Sequence, residues 1–276
     1  MLVVSKVFTE LISLIFAVSL LLFFIDYLQR NRKAKLIAFH LLLGVWSLQT
    51  VQFVYKLVDI GHFPILTIRE GLFFYVWVLL TISLIVSKKV ENDFLVFFVN
   101  TIAFSIHTLY TFAPEQYASK TLAKQLISEL LIGHISIAFI SYACYTVGFI
   151  YSIMYLAQHS LIKKKKWGHR LIRFGNLNKL DSTAFNINVC ATAIYLIALI
   201  LGMVWALITD AKALWIDPKF IGSFGVFFIY CLYLYLSVAN YLNGKNKIHW
   251  NIICFMTLIV NYFLFGRFSS FHFMFM

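Results

Sequence analysis

Residues 202–220 read GMVWALITDAKALWIDPKF and lie between two long apolar runs. The stretch holds two of the six tryptophans, Trp205 and Trp215, together with two acids, two lysines and one of the three prolines. One interpretation is a connection between membrane helices, since tryptophan anchors at the membrane surface and proline interrupts a helix. A second interpretation stays open at this point: the aromatic and polar side chains form a surface that holds a planar cofactor.

The composition identifies the class of protein around this stretch. The chain has 276 residues, of which 62% are hydrophobic and 12% are charged, whereas a soluble domain carries roughly 25% charged residues. We therefore predict a polytopic integral membrane protein. No polar stretch is long enough for a separate soluble domain, so we predict a single transmembrane domain over residues 1–276.

The apolar segments predict the fold. About eight of them are long enough to cross a hydrocarbon layer about 30 Å thick. We predict an all-α, polytopic helical bundle with about eight transmembrane helices, near residues 7–28, 36–57, 68–87, 94–112, 126–157, 185–208, 221–242 and 249–266.

The distribution of basic residues predicts the orientation. The connections after the first, third, fifth and seventh helices contain fifteen of the 23 lysines and arginines. Because cytoplasmic connections are enriched in these residues, both termini and the 202–220 stretch are predicted to lie outside. The formal net charge of +12 is then a signal of topology, and we predict no nucleic-acid partner.

Other chemistry has little support in the sequence. The four cysteines are isolated and form no C-x-x-C motif, which argues against a thiol-disulfide carrier and a cysteine metal site. The metalloprotease, nucleotide-binding and hydrolase motifs are absent, so we predict no enzymatic activity. No helix carries a convincing charge at mid-depth, which disfavours an ion-coupled carrier.

Two histidines are predicted on the same side as the tryptophans. His134 begins the membrane part of the fifth helix, and His272 follows the eighth helix. Two imidazoles from separate elements can bind a haem iron from opposite faces of the ring. We therefore predict that His134 and His272 are metal ligands that face each other across the outer mouth of the bundle, with Trp205 between or beside them. The alternatives are a helix-end histidine bonded to a loop carbonyl for His134 and a chain-end residue for His272.

Several motifs resemble the cytochrome c assembly superfamily, which includes CcsA-like and CcmC-like proteins. The resembling segments are WA at 205–206 with DPK at 217–219, HIS at 134–136 with SYA at 141–143, FPILTIREGLFFYVW at 63–77, and VNYFLFGRFSSFH at 260–272. The resemblance covers nearly the whole chain and implies that Asp217 joins Trp205 and Trp215 in holding haem. The chain departs from the family pattern at Asp210, Leu214 and Ile216, where the pattern has further tryptophans.

The sequence around residue 217 most resembles that of the HemX branch of this superfamily, which is found in Gram-positive bacteria. The resemblance implies a multi-pass protein of the cytoplasmic membrane that handles or senses haem at its outer face. It also implies regulation of haem biosynthesis through the level of glutamyl-tRNA reductase. The partners would be the lipid bilayer, that reductase on the cytosolic side, and other cytochrome c assembly proteins. Two alternatives stay open: a haem-delivery or haem-export subunit of a cytochrome c assembly system, and a small-solute transporter.

Overall fold

The computed structural model describes residues 2–60, 63–65, 67–89, 93–113, 129–165, 176–209 and 216–265. These residues form eight α-helices and contain no strand. The helices are α1 (Leu2–Gln29), α2 (Arg32–Ile60), α3 (Ile68–Lys89), α4 (Asp93–Phe112), α5 (Glu129–Lys163), α6 (Leu177–Ile208), α7 (Pro218–Val238) and α8 (Lys245–Val260). A π-helical turn, Asn261–Phe265, follows α8.

The helices confirm the prediction of an all-α polytopic membrane protein. Within the described ranges, α1 to α7 are each long and apolar enough to cross a membrane. Helix α8 is shorter, with 16 residues, and continues directly into the π turn. The orientation relative to the membrane stays a prediction from the charge distribution.

The largest shift of a single helix boundary is at the start of α6, which begins at Leu177, about two turns before the predicted residue 185. Hydropathy locates the apolar part of a helix but not its polar first turns. The start is set by Asn176, whose side chain accepts a hydrogen bond of 2.9 Å from the backbone N–H of Asn178. A side chain that satisfies a free N–H group in this way stabilises a helix N-terminus.

The chain divides into two compact units, Met1–Tyr117 and Ala118–Met276. The first contains α1 to α4 and the second contains α5 to α8. A single domain over the whole chain stays a prediction, and each unit is described by itself below.

In the first unit, α1 packs against α2 and α4, and α3 packs against α2 and α4. Helix α3 begins with a capping box: the backbone N–H of Thr67 donates to Glu70 Oε2 at 3.1 Å, and that of Glu70 donates to Thr67 Oγ1 at 3.2 Å. This cap accounts for the glutamate within the 63–77 segment.

His107 is a fully buried histidine of the first unit. The Gln49 amide nitrogen lies 3.3 Å from Nδ1 and can only donate, so Nδ1 accepts. Nε2–H then donates to Ser13 Oγ at 3.0 Å, and the Ser13 hydroxyl donates to the Thr9 carbonyl at 2.9 Å. Both ring nitrogens are therefore used within the core, and His107 serves as a structural residue.

In the second unit, α5 and α6 pack along their length in an antiparallel register. His134 contacts Ala198, and Ser141 Oγ donates to the Ala191 carbonyl at 2.9 Å, so residue numbers on α6 fall as those on α5 rise. Among the residues of α6 that contact α5, six recur in steps of three and four, at 188, 191, 195, 198, 202 and 205. Three of these six residues are alanine or glycine, which lets two membrane helices approach closely.

A buried amide network ties this helix pair to α8. Asn188 Nδ2 donates to Asn251 Oδ1 at 2.9 Å. Asn251 Nδ2 donates to Ser152 Oγ at 2.7 Å and to the Gly148 carbonyl at 3.2 Å. Both asparagines are fully buried. The network thus connects α5, α6 and α8 through groups that would be costly to leave unpaired in an apolar interior.

We predict that Gly148→Ala destabilises the second unit. A methyl group at Gly148 would lie 2.5 Å from Asn188 Oδ1, so the amide network must shift. The expected loss is about 1–3 kcal/mol in the free energy of unfolding, measured by thermal denaturation in detergent. The matched control is Gly225→Ala in α7, where an added methyl group meets no atom within 4 Å of the described structure. Equal stability of the two variants would contradict the prediction.

Candidate functional site

The predicted ligand His134 lies on α5 with its ring against α6. Its Nδ1 is 2.6 Å from the backbone carbonyl oxygen of Ala198. A carbonyl oxygen only accepts hydrogen bonds, so Nδ1 carries the proton and Nε2 keeps its lone pair. Among the described residues, nothing hydrogen-bonds to Nε2. The partner is a helix carbonyl, and the predicted alternative of a loop carbonyl is therefore wrong for the described structure.

Gly202 forms the surface on which the His134 ring rests. A Cβ atom added at Gly202 would lie 2.7 Å from both Cε1 and Nδ1 of His134. Any side chain at this position would therefore push the imidazole away from the Ala198 carbonyl. Gly133, the neighbour of His134 in sequence, differs, because an added Cβ there would meet Leu201 at an ordinary 3.7 Å.

Trp205 lies one helical turn beyond Gly202 and is 5% exposed. It packs with Leu131 and Ala206, and the partly buried side chains of Leu130, Ile135 and Phe220 cover the cluster. The tryptophan therefore extends the α5–α6 contact at the end where His134 lies. Its contact with a cofactor stays a prediction.

Asp217 begins helix α7. Its Oδ1 accepts hydrogen bonds from the backbone N–H groups of Lys219 at 2.9 Å and Phe220 at 3.3 Å. Pro218 occupies the first helical position, where its missing N–H costs nothing. The buried carboxylate is thus explained as a helix cap, and its predicted role in holding a cofactor stays a prediction.

Lys219 brings a positive charge to this end of the second unit. Its Nζ lies 5.7 Å from the ring centroid of Tyr262, in the π turn after α8. Tyr262 in turn packs edge-on against Phe139 and Tyr142 of α5, at 6.2 Å between centroids in each case. The charge of Lys219 also acts on the His134 imidazole. Lys219, Tyr262 and His134 therefore lie in the same region of the second unit.

Two predicted site residues, Trp215 and His272, lie outside the described residues. The predicted His134–His272 pair consequently stays a prediction. Sequence reasoning missed Ala198, Gly202 and Tyr262 as parts of the site, although the small residues recur on α6 in steps of three and four. It counted Lys219 among the polar residues of the 202–220 stretch and in the DPK motif, without a role in binding a cofactor.

A metal ion held by protein ligands alone has no site among the described residues. The described residues contain no group of three or more histidine, cysteine, aspartate or glutamate side chains that could hold a metal ion. A bare zinc ion needs three or four protein ligands. A haem iron is already bound by four porphyrin nitrogens and requires only one or two axial side chains from the protein.

Comparisons with known proteins show which family the chain is similar to. The model of the family described as "Cytochrome C assembly protein" matches residues 65–272. The chain is 45% identical to "Protein HemX" of Bacillus subtilis (strain 168) over 258 residues, which cover 94% of each chain. It is 35% identical to "Protein HemX" of Brevibacillus brevis, over 95% of this chain and 96% of that one.

More distant relatives include "Cytochrome c biogenesis protein CcsA" of Prochlorococcus marinus (strain MIT 9515). That protein is 24% identical, over 77% of this chain and 75% of its own length. The family model covers about three quarters of the chain, including His134, Gly202, Trp205 and Lys219. The chain therefore belongs to the cytochrome c assembly protein family.

Proposed function

We propose that the protein binds haem at the predicted outer end of α5 and α6, where His134 Nε2 would hold the iron. The observation that carries this proposal is the 2.6 Å contact between His134 Nδ1 and the Ala198 carbonyl. Histidines that bind metals almost always donate their other ring N–H to a carbonyl or carboxylate, which fixes the tautomer and the ring orientation. His134 has this arrangement.

The residues around His134 suit a haem group. Trp205, Leu131 and Phe220 offer apolar and aromatic surface, and Lys219 offers a positive charge. When bound, haem would supply an iron centre that accepts the imidazole nitrogen and can change oxidation state. His272 is the predicted second axial ligand, and Trp215 and Asp217 are predicted to contribute to the same site. We propose a binding and sensing role, without enzymatic catalysis.

We predict that Gly202→Ala weakens haem binding about 10- to 100-fold, the usual cost of disturbing the support of a metal ligand. The added methyl group would lie too close to the His134 imidazole and would displace it. The measurement is a haem titration of the purified protein, followed by the Soret band, with His134→Ala as the variant that lacks the ligand. Gly133→Ala is the matched control, because it adds the same methyl group beside His134 without a clash. Unchanged affinity in both Gly202→Ala and His134→Ala would contradict the proposed site.

We also propose that the protein lies in the cytoplasmic membrane and regulates haem biosynthesis by controlling the level of glutamyl-tRNA reductase. The support is the identity of 45% and 35% to proteins named HemX over almost their whole length, together with the resemblance of the sequence to that branch. In this proposal, haem bound at the outer end reports on supply, and the basic inner connections meet the cytosolic partner.

A second candidate is a haem-delivery or haem-export subunit of a cytochrome c assembly system. The matches to the family model and to the CcsA protein favour it. Such a subunit would work with other cytochrome c assembly proteins.

One deletion strain separates the two candidates. The regulator predicts a raised level of glutamyl-tRNA reductase with normal c-type cytochromes, measured by immunoblot and by haem staining. Restoring the gene with His134→Ala should reproduce the deletion, while the Gly133→Ala gene should correct it. Loss of c-type cytochromes with an unchanged reductase would favour the assembly subunit, and no change in either would contradict both candidates.

A further inference from the structure

The ammonium group of Lys219 carries a positive charge that the described residues around it do not fully neutralise. Among the residues that the structure describes, no carboxylate oxygen lies within salt-bridge distance of its Nζ. The Nζ lies over the face of the Tyr262 ring. A partly buried ammonium without a paired anion is costly in an apolar environment. This arrangement is therefore suited to an anionic group brought by a ligand.

The nearest acid does not fill this role. Asp217 is two residues away and its charge acts on Lys219. However, Asp217 Oδ1 accepts from the backbone N–H groups of Lys219 and Phe220, as a helix cap does. Its carboxylate is thus held at the start of α7 and forms no direct ion pair with the ammonium.

The surroundings of Lys219 are fixed by further hydrogen bonds. Ser223 Oγ donates to the Lys219 carbonyl at 2.7 Å and accepts from Asn261 Nδ2 at 3.2 Å. Asn261 is 1% exposed, and its Oδ1 accepts no hydrogen bond from the described residues. Tyr262, the next residue, places its ring beneath the ammonium. Lys219 therefore lies at a hydrogen-bonded junction of α7 with the π turn.

We infer that Lys219 binds a carboxylate of the porphyrin, so that the site selects haem with ionised propionate groups. This inference rests on the proposed haem site at His134, whose imidazole the charge of Lys219 reaches. A haem molecule carries two propionates on one edge and apolar groups on the opposite edge. A histidine that binds the iron and a lysine that binds a propionate would together set which edge lies toward α7.

The test compares iron protoporphyrin IX with its dimethyl ester, which has the same ring and iron but no carboxylate charge. Both are titrated into the full-length protein in a maltoside detergent, which carries no phosphate or carboxylate of its own. Titration of empty micelles corrects for the greater partitioning of the ester. We expect the wild-type protein to bind the free acid at least about tenfold more tightly, the usual strength of a charge-assisted hydrogen bond.

Lys219→Gln should reduce the affinity for the free acid to that for the ester and leave the affinity for the ester unchanged. Lys245→Gln is the matched control, because it removes one positive charge from an exposed position at the start of α8. It should keep the full preference for the free acid. Repeating the titration with added anionic phospholipid tests the other source of an anion, since competition by that lipid at micromolar concentrations would assign the lysine to a lipid headgroup and overturn the inference.

The titrations distinguish a failure of the Lys219 role from a failure of the haem site at His134. Equal binding of acid and ester by the wild-type protein, with a Soret band that depends on His134, would overturn the role of Lys219 and leave the haem site intact. The same holds if Lys219→Gln keeps the preference. Failure of the wild-type protein to bind either porphyrin would overturn the haem site and, with it, the role of Lys219. Even if Lys219→Gln does not fold, equal binding of acid and ester by the wild-type protein would still overturn the role of Lys219.

Discussion

The hydrogen bond between His134 Nδ1 and the Ala198 carbonyl is the interaction on which the candidate site depends. It exists because α5 and α6 approach closely, and they do so because the contact face of α6 carries alanine and glycine at 191, 198 and 202. A larger residue at 202 would occupy the space of the imidazole. Helix packing therefore decides the tautomer of the histidine, and the tautomer leaves Nε2 as the atom that can bind a metal.

Two histidines show how the pattern of hydrogen bonds separates a candidate metal ligand from a structural residue. His107, in the first unit, has partners on both ring nitrogens, Gln49 and Ser13, and is held entirely within its own unit. His134, in the second unit, has one nitrogen bonded and the other without a partner among the described residues. Both side chains lie within apolar helices, His107 fully buried and His134 partly buried. The difference is chemical, because a metal ligand requires a lone pair that no proton or donor occupies.

The sequence was sufficient for the helices and for part of the candidate site. Hydropathy located every helix of the described structure, because spanning a membrane requires a long apolar run. His134 could be found from its residue type and its position at a helix end. Gly202 and Ala198 could not be assigned to the site, since their role depends on the register between α5 and α6, which hydropathy does not report. Lys219 and Tyr262 are more than forty residues apart in the chain and meet only through packing of α5, α7 and the π turn. The early start of α6 followed from the Asn176 cap, a local feature that an average over many residues conceals.

We infer that the protein itself holds His134 with the proton on Nδ1 and the lone pair on Nε2, the tautomer that can bind iron through Nε2. Solid-state nitrogen NMR of the haem-free protein in membranes, with ¹⁵N-labelled histidine, measures the tautomer directly. The spectrum of His134→Gln, subtracted from that of the wild-type protein, isolates the signals of this residue from those of the other seven histidines. We expect a neutral His134 ring with a protonated Nδ1 and an unprotonated Nε2. A protonated Nε2 with a bare Nδ1, or a doubly protonated ring at neutral pH, would contradict it.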